Sequence, residues 1–184
     1  MTHSKAQELI VRRYADVHGA RPRIDYATLA TDVRGDEVAA ALGYRRADCG
    51  PLFLERYIDQ PIEELLAPRF SRSVSRADIV EIGNLAADNA PAMVRLWAQA
   101  ANDLGGEAEI AVAVLTRELR TMFRRLGVAI VELAPADPAR LGGEAREWGR
   151  YYARDPRLCA GLIASGQERL ARFAGRSERM GAVA

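Results

Sequence analysis

Cysteine and histidine are scarce in this sequence, and their scarcity excludes several kinds of site. The 184 residues include two cysteines and two histidines. Cys49 and Cys159 lie far apart and lack the spacing of metal ligands, and only His3 and His18 could accompany them. We therefore expect no disulfide scaffold, no metal site and no Cys–His nucleophile.

Long hydrophobic runs are absent as well. The longest apolar stretch, residues 110–115, is far shorter than the roughly 18–20 residues that cross a bilayer. Residues 1–10 contain a charge and lack the apolar core and cleavage site of a signal peptide. These absences predict a cytoplasmic protein without stable membrane insertion.

Neither sign of charge dominates. The 26 basic and 25 acidic residues give a net charge of +1, so nothing predicts a nucleic-acid partner. Lys5 is the only lysine, and the other basic residues are arginine. Arginine suits bidentate contacts with anions, but the codon bias of a GC-rich genome explains both this excess and the abundant alanine. We favour codon bias as the explanation.

The composition is typical of one ordinary globular domain. Hydrophobic residues make up 49% of the chain and charged residues 28%, which excludes disorder over the whole length. Apolar side chains at helical spacing predict a first helix over residues 4–18. We expect a single domain over residues 1–174 and a flexible tail over residues 175–184.

Strand and helix patterns predict a mixed sheet. Residues 27–33 and 37–46 are β-leaning runs on either side of a Gly-Asp turn, as in an antiparallel hairpin. After an irregular segment, a β-α-β-α-β order follows over residues 79–86, 91–104, 108–115, 118–126 and 128–133. A C-terminal appendage holds a short apolar run, residues 158–163, and a helix ending near Phe173. The prediction is a single-domain α/β (α+β) fold with helices on both faces of the sheet.

Three sequence blocks resemble those of a known bacterial family. They are residues 41–45 (ALGYR) with residues 51–57 (PLFLERY), then residues 79–86 (IVEIGNLA), then residues 148–152 (WGRYY) with Asp155 and Pro156. In this order they resemble the thermostable hemolysin family over about residues 8–166, which is nearly the whole chain. The resemblance implies a GNAT-like acyltransferase fold.

The chain is also similar, more weakly, to acyl-homoserine lactone synthases. Those enzymes carry a Glu-x-x-Arg motif on the strand that matches residues 79–86, where this sequence has Glu81 and Asn84. The glutamate is kept and the arginine is replaced by asparagine. The similarity therefore does not imply lactone synthesis.

The GNAT resemblance implies a donor site between two strands. Residues 79–86 and 108–115 would splay apart and admit the pantetheine arm of an acyl thioester, either acyl-carrier-protein phosphopantetheine or acyl-CoA. The acceptor would be a small amine. Such a transfer needs a base, a group that stabilises the oxyanion, and an acid for the leaving thiolate.

Glu81 is the candidate catalytic base. It lies in the middle of an apolar strand, where an unpaired carboxylate is costly to bury. Burial would raise its pKa toward that of a useful base, whereas an arginine partner would lower the pKa and indicate a structural ion pair. Asn84 could bind substrate or orient a strand-end carbonyl, and Gly83 could allow the close approach of a ligand or form a β-bulge.

Trp148, Tyr151 and Tyr152 are candidate substrate-binding residues. They form an aromatic group that follows the third strand of the alternating segment. Either tyrosine could line the pocket or present a phenolic acid to the sulfur of the thioester. The alternative is a packed aromatic cap over the edge of the sheet.

The phosphate-binding turn departs from the GNAT pattern. In that pattern, a glycine-rich turn at a helix N-terminus offers backbone N–H groups to the pyrophosphate. Residues 86–91 (AADNAP) contain no glycine and include an aspartate and a proline. A carrier-bound donor with one phosphate is one explanation, and the absence of any thioester is the other. Arg117, Arg120 and Arg124 fall on one side of a predicted helix and could dock a carrier, unless they only form a solvated basic face.

Two other functions are left open by the sequence. A membrane-active, hemolysin-like protein needs an exposed apolar surface. The stripe on the helix over residues 91–104 offers one unless it packs in the core; it consists of Met93, Leu96, Trp97, Ala100 and Leu104. A non-catalytic module that binds an acyl ligand without turning it over is the third possibility.

Overall fold

The structure, a computed structural model, describes residues 2–180 of the chain and the side chains of residues 2–171. The helices are α1 Thr2–His18, α2 Ile62–Phe70, α3 Ala90–Leu104, α4 Arg117–Leu126 and α5 Ile163–Met180. The strands are β1 Thr28–Arg34, β2 Glu37–Arg46, β3 Ile79–Ala87, β4 Ile110–Leu115, β5 Val131–Pro135 and β6 Arg157–Leu162. Short 3₁₀ helices include Phe53–Tyr57, Pro138–Trp148 and Tyr151–Arg154.

The strands form one mixed sheet in the order β1-β2-β3-β4-β6-β5. β1 and β2 form the predicted antiparallel hairpin, and Gly35 in its turn has a φ of +58° that favours glycine. β3 and β4 are parallel neighbours, as the crossover through α3 requires. The mixed sheet and its leading hairpin are therefore confirmed.

The position of β6 corrects the predicted topology. The run that the sequence places in a C-terminal appendage is a strand between β4 and β5, antiparallel to both. Leu158, Cys159 and Ala160 are buried there, whereas β5 is partly exposed at the edge of the sheet. The more hydrophobic strand takes the interior position because it buries both faces. β5 itself begins three residues later than predicted.

Helices cover both faces of the sheet, as predicted. On one face, α3, α4 and α5 contribute Leu96, Phe123 and Leu170 to one hydrophobic core. On the other face, α1, α2 and the 3₁₀ segments contribute residues such as Ile10 and Leu66 to two further clusters. The sheet is thus the middle layer of three.

The predicted end of the last helix is wrong, because α5 continues past Phe173 to Met180. The proposed flexible tail over residues 175–184 overlaps this helix, and its last four residues lie outside the described part of the chain. Within residues 2–180, no helix combines the length and hydrophobicity that a membrane crossing requires. The apolar stripe of α3 packs into the core, where Leu96, Ala100 and Leu104 are buried.

Candidate active site

The parallel ladder between β3 and β4 stops before either strand ends. Their register runs from the pair Ile79–Ile110 to the pair Ile82–Ala113. Beyond this point β3 continues to Ala87 and β4 to Leu115. The sheet therefore opens between the carboxyl ends of two adjacent parallel strands.

A β-bulge in β3 accompanies this opening. On the β2 side, Ala41 pairs with Ala86 and Gly43 pairs with Gly83, so that two residues of β3 oppose one residue of β2. Asn84 has a φ of +48°, a conformation that asparagine tolerates better than most residues. The extra residue bends the strand and increases its local twist. The bulge thus begins where the β3–β4 ladder ends.

A cavity of about 450 Å³ lies at the opening. Its wall includes residues 82–87 of β3 and residues 113–116 at the end of β4. Trp97 and Leu119 line it from the α3/α4 side of the sheet, and Tyr14 and Trp148 line it from the opposite side. The cavity therefore reaches both faces of the sheet through the gap.

Glu81 lies in the wall of this cavity and is 2% exposed. Its carboxylate accepts hydrogen bonds from the backbone N–H groups of Phe53 at 3.1 Å and Leu54 at 2.8 Å. Arg45 Nε lies 3.3 Å from Oε2 in an ionic contact that lacks hydrogen-bond alignment. The carboxylate is thus held at the start of the 3₁₀ helix Phe53–Tyr57.

Burial raises the pKa of Glu81 above its ordinary value, despite opposing contributions from its partners. The two peptide N–H groups, the Arg45 guanidinium and the Tyr26 hydroxyl all favour the ionised form. Burial is the largest effect, so a proton binds more strongly here than to a glutamate in water. The structure combines both alternatives that the sequence leaves open, since Glu81 is desolvated and also contacts an arginine.

Tyr26 covers two paired glycines next to Glu81. A Cβ atom at Gly43 would lie 2.5 Å from the Tyr26 Cγ, and one at Gly83 would lie 2.1 Å from the Tyr26 Oη. Gly83 therefore permits the close approach of an aromatic ring. Asn84 is buried, and its Nδ2 donates to the Arg23 carbonyl at 3.2 Å. This bond ties the segment before Tyr26 to the bulge.

Aromatic side chains line the cavity on the α1 side. Trp148 and Tyr151 are both in its wall, with ring centroids 5.3 Å apart. The Tyr151 hydroxyl donates to the Val114 carbonyl at 3.2 Å, just beyond the end of the β3–β4 ladder. Burial raises the pKa of Tyr151 far above that of a phenol in water. Tyr151 is therefore a neutral hydrogen-bonding group at the gap.

Tyr152 is placed differently from its neighbour. It is absent from the described cavity wall, and its hydroxyl lies 2.7 Å from the hydroxyl of Tyr57. Its ring packs edge-on against Tyr151 at 5.6 Å. Tyr152 thus packs behind the wall that Tyr151 forms. Its contact with substrate stays a prediction.

Arg120 does not belong to an exposed basic face. It is 6% exposed, and it forms ion pairs with Asp155 at 2.7 Å and Glu132 at 3.0 Å. It also donates to the Leu115 carbonyl at 2.9 Å. Arg117 and Arg124 are exposed. The predicted docking face of three arginines is therefore corrected, because the inward side of α4 carries Arg120.

His18 is a cavity residue that sequence reasoning does not select. Its ring packs edge-on against Tyr151 at 5.2 Å, and its buried Nδ1 has no hydrogen-bond partner among the described residues. Burial and then the nearby Arg154 lower its pKa, so the imidazole is neutral at neutral pH. Its position at the end of α1 gives no local signal, because only the tertiary fold brings α1 to the gap.

The N-terminus of α3 offers little to a pyrophosphate. The Asn89 side chain accepts from the Ala92 N–H at 2.9 Å, and Pro91 in the first turn has no N–H. Arg12 pairs with Asp88 at 2.9 Å beside this turn. The turn that binds phosphates in the GNAT pattern is closed here by side chains of the protein.

An open mixed sheet with a parted parallel pair is typical of the GNAT-like fold, and comparison with solved structures confirms this fold. BjaI, a CoA-dependent acyl-homoserine lactone synthase solved with SAM and isopentyl-CoA, has a TM-score of 0.64 at 13% identity over 95% of this chain and 83% of its own. FeeM, an N-acyl amino acid synthase from uncultured soil microbes, has a TM-score of 0.59 at 12% identity over 91% of this chain and 94% of its own. TofI, solved with an inhibitor and MTA, has a TM-score of 0.53 at 20% identity over 93% of this chain and 91% of its own.

The sequence matches the Thermostable hemolysin family over residues 1–167, and the chain belongs to that family. The family resemblance carried by the three sequence blocks is therefore confirmed. A search of curated proteins found no significant match.

Proposed function

We propose that this protein transfers an acyl group from a thioester to a small amine. The observation that carries the proposal is the gap between β3 and β4, which opens into a cavity beside the buried carboxylate of Glu81. A pantetheine arm is slender and carries amides that can bond to unpaired strand backbone. Past Ile82 and Ala113 the two strands no longer pair with each other. The segment of β3 beyond Ile82 supplies such backbone in this proposal.

In the proposed reaction the amine nitrogen attacks the thioester carbonyl. A C–N bond forms and the C–S bond breaks, so the products are an amide and a thiol. Glu81 accepts the proton that the amine loses, and its raised pKa supports this role. The leaving thiolate takes up a proton. Tyr151 lies at the gap as a neutral phenol and is our candidate for a hydrogen-bond donor that stabilises the thiolate, while the proton held by Glu81 balances the reaction.

The other candidate residues have supporting roles in this proposal. Asn84 holds the bulge and the segment at Arg23 in place, and Trp148 forms part of the acceptor wall. Arg117 and Arg124 remain available to contact an acidic carrier protein. The fold is similar to those of BjaI, a CoA-dependent acyl-homoserine lactone synthase, and FeeM, an N-acyl amino acid synthase. This similarity supports acyl transfer as the proposed reaction.

The closed turn before α3 favours a donor that is not held through its pyrophosphate. We therefore propose acyl-carrier-protein phosphopantetheine as the preferred donor, with acyl-CoA as a second donor. One acyl group presented on pantetheine, on CoA and on carrier protein tests this preference. Pantetheine and CoA thioesters should give similar kcat/KM, and the carrier-bound thioester a higher value. A large advantage of CoA over pantetheine would contradict it.

The test of the function is thiol release. Purified protein is mixed with acyl thioesters and a panel of amines and amino acids, and free thiol and amide are both measured. Wild type should release thiol only with a suitable amine, and Glu81→Gln should lose most of this rate while still binding the donor. Glu64→Gln, at an exposed position on α2, is the matched control. Donor binding without amide formation would instead identify a non-catalytic acyl-binding module.

A further inference from the structure

Trp97 carries a buried hydrogen-bond donor without an acceptor. The residue lies on α3 and is 8% exposed, and its Nε1 finds no partner among the described residues. The indole packs edge-on against Phe123, with ring centroids 4.9 Å apart, which fixes its orientation. Native proteins leave few buried donors unpaired because each one loses its bond to water. A bound ligand could therefore provide the hydrogen-bond acceptor that this N–H lacks.

Trp97 forms part of the wall between two cavities. The cavity at the β3–β4 gap and a second one of about 70 Å³ share lining residues, which are Ile82, Trp97, Ala113 and Leu115. The second cavity lies between the sheet and the helices α3, α4 and α5. An acyl chain that enters through the gap would therefore meet Trp97, with the apolar second cavity behind it.

The second cavity offers almost no other polar group. Its wall includes Leu104, Phe123, Val128 and Leu170. Among the described lining residues the other polar side chain is Cys159, and its thiol contacts the Arg157 carbonyl at 3.5 Å. A plain alkyl chain would fill this space and leave the Trp97 N–H unpaired. A chain with one oxygen acceptor near Trp97 would satisfy it.

We propose that Trp97 selects acyl chains that carry an oxo or hydroxyl oxygen, by donating its Nε1–H to that oxygen. The inference rests on the proposed function for the identity of the ligand, and it specifies the chemical class of the acyl group. The preference arises because the Trp97 N–H has no other partner to give up, so its new bond outweighs the bonds to water that the ligand oxygen loses on binding. A plain chain gains no such bond.

The experiment compares pantetheine thioesters of one chain length that are plain, 3-hydroxy, 3-oxo or 5-oxo. Their affinities for the full-length protein are measured by titration calorimetry. Wild type should bind at least one oxygenated chain roughly tenfold more tightly than the plain chain. Trp97→Phe keeps an aromatic ring against Phe123 and removes the N–H, so it should bring this ratio close to one. Phe123→Leu, which alters the same wall but keeps the N–H, should change all affinities together.

A second measurement follows the indole N–H directly in wild type. Trp148→Phe assigns the two indole signals in a ¹⁵N-labelled sample, since the chain has two tryptophans. The Trp97 N–H should shift downfield with the oxygenated ligand and not with the plain one. This arm does not depend on the stability of Trp97→Phe.

The two proposals fail in different ways. An affinity ratio that survives in Trp97→Phe, or an indole signal that does not respond to the ligand oxygen, would overturn the role of Trp97 even in an active enzyme. A Trp97-dependent preference without amide formation from any amine would retain that role and overturn acyl transfer.

Discussion

Arg45 and Glu81 are directly opposed across the β2–β3 ladder, and the Arg45 Nε lies 3.3 Å from the Glu81 Oε2. The guanidinium also lies over the Tyr26 ring, 4.4 Å from its centroid. The position three residues after Glu81 holds Asn84 and not arginine, and the arginine beside Glu81 is instead Arg45 on the neighbouring strand β2. The pair places a positive charge beside the proposed base without closing the cavity.

Glu81→Gln should remove a pH dependence of stability. Burial raises the pKa of Glu81 above its ordinary value of 4.5, so the folded state binds this proton more tightly than the unfolded state. Between the two pKa values, folding takes up the proton, and the contribution of Glu81 to the free energy of unfolding falls as pH rises. Urea titrations of wild type and Glu81→Gln from about pH 4 to 8 give the difference between their unfolding free energies. The free energy of unfolding of wild type minus that of Glu81→Gln should decrease as pH rises. A constant difference would contradict the raised pKa of Glu81.

Gly83→Ala should displace Tyr26 and weaken both the fold and the site. The new Cβ would lie 2.1 Å from the Tyr26 Oη, so the ring must move away from Glu81. We expect a loss of about 1–3 kcal/mol in the free energy of unfolding, measured with urea. Gly106→Ala is the control, because nothing lies within 4 Å of a Cβ there. Equal stability of the two variants would show that Tyr26 does not need this space.

Two variants of Asn84 should separate its backbone from its side chain. Asn84→Gly keeps the φ of +48° without strain and loses the bond to the Arg23 carbonyl. Asn84→Ala loses the bond and also strains the bulge. Unfolding free energies should therefore rank wild type, glycine and alanine in decreasing order, with about 1 kcal/mol between the two variants. An alanine variant as stable as the glycine variant would mean that the bulge rearranges.

Arg120→Ala should destabilise the protein far more than Arg124→Ala. Removal of Arg120 breaks its ion pairs with Asp155 and Glu132, which both keep Arg157 as a partner, and it also loses the bond to the Leu115 carbonyl. We expect a loss of about 1.5–3 kcal/mol in the free energy of unfolding. Arg124 is exposed on the same helix, so its removal should change stability by no more than about 0.5 kcal/mol. If Arg124 docks a carrier protein, its variant should raise the KM for the carrier-bound donor alone. Thermal melts and donor kinetics on both variants check this.

Local sequence signals predict the helices and strands well, but they predict less well which strands lie next to each other in the sheet. The hairpin is predictable because its turn and its two strands, β1 and β2, are contiguous. The placement of Arg45 beside Glu81 depends on the separate register between β2 and β3. The partner of β6 is not predictable in this way, because insertion between β4 and β5 depends on competition among distant strands.

The candidate site shows the same division. Glu81 is detectable as a carboxylate within an apolar strand, and its burial follows from that position. Helical spacing groups Arg120 with Arg117 and Arg124, but it does not reveal which side of α4 faces the protein. Tyr151 and Tyr152 are adjacent in sequence, and only the course of their 3₁₀ helix decides that one lines the cavity.

The interior position of β6 has a consequence for the folding of the chain during its synthesis. Its residues, Arg157–Leu162, are made after every other strand, yet they separate two strands that are made earlier. During synthesis, β4 and β5 each present an unpaired edge until the ribosome has completed β6. Such edges invite pairing with other chains. A nascent chain halted shortly before Arg157 therefore lacks the strand that covers both of these edges.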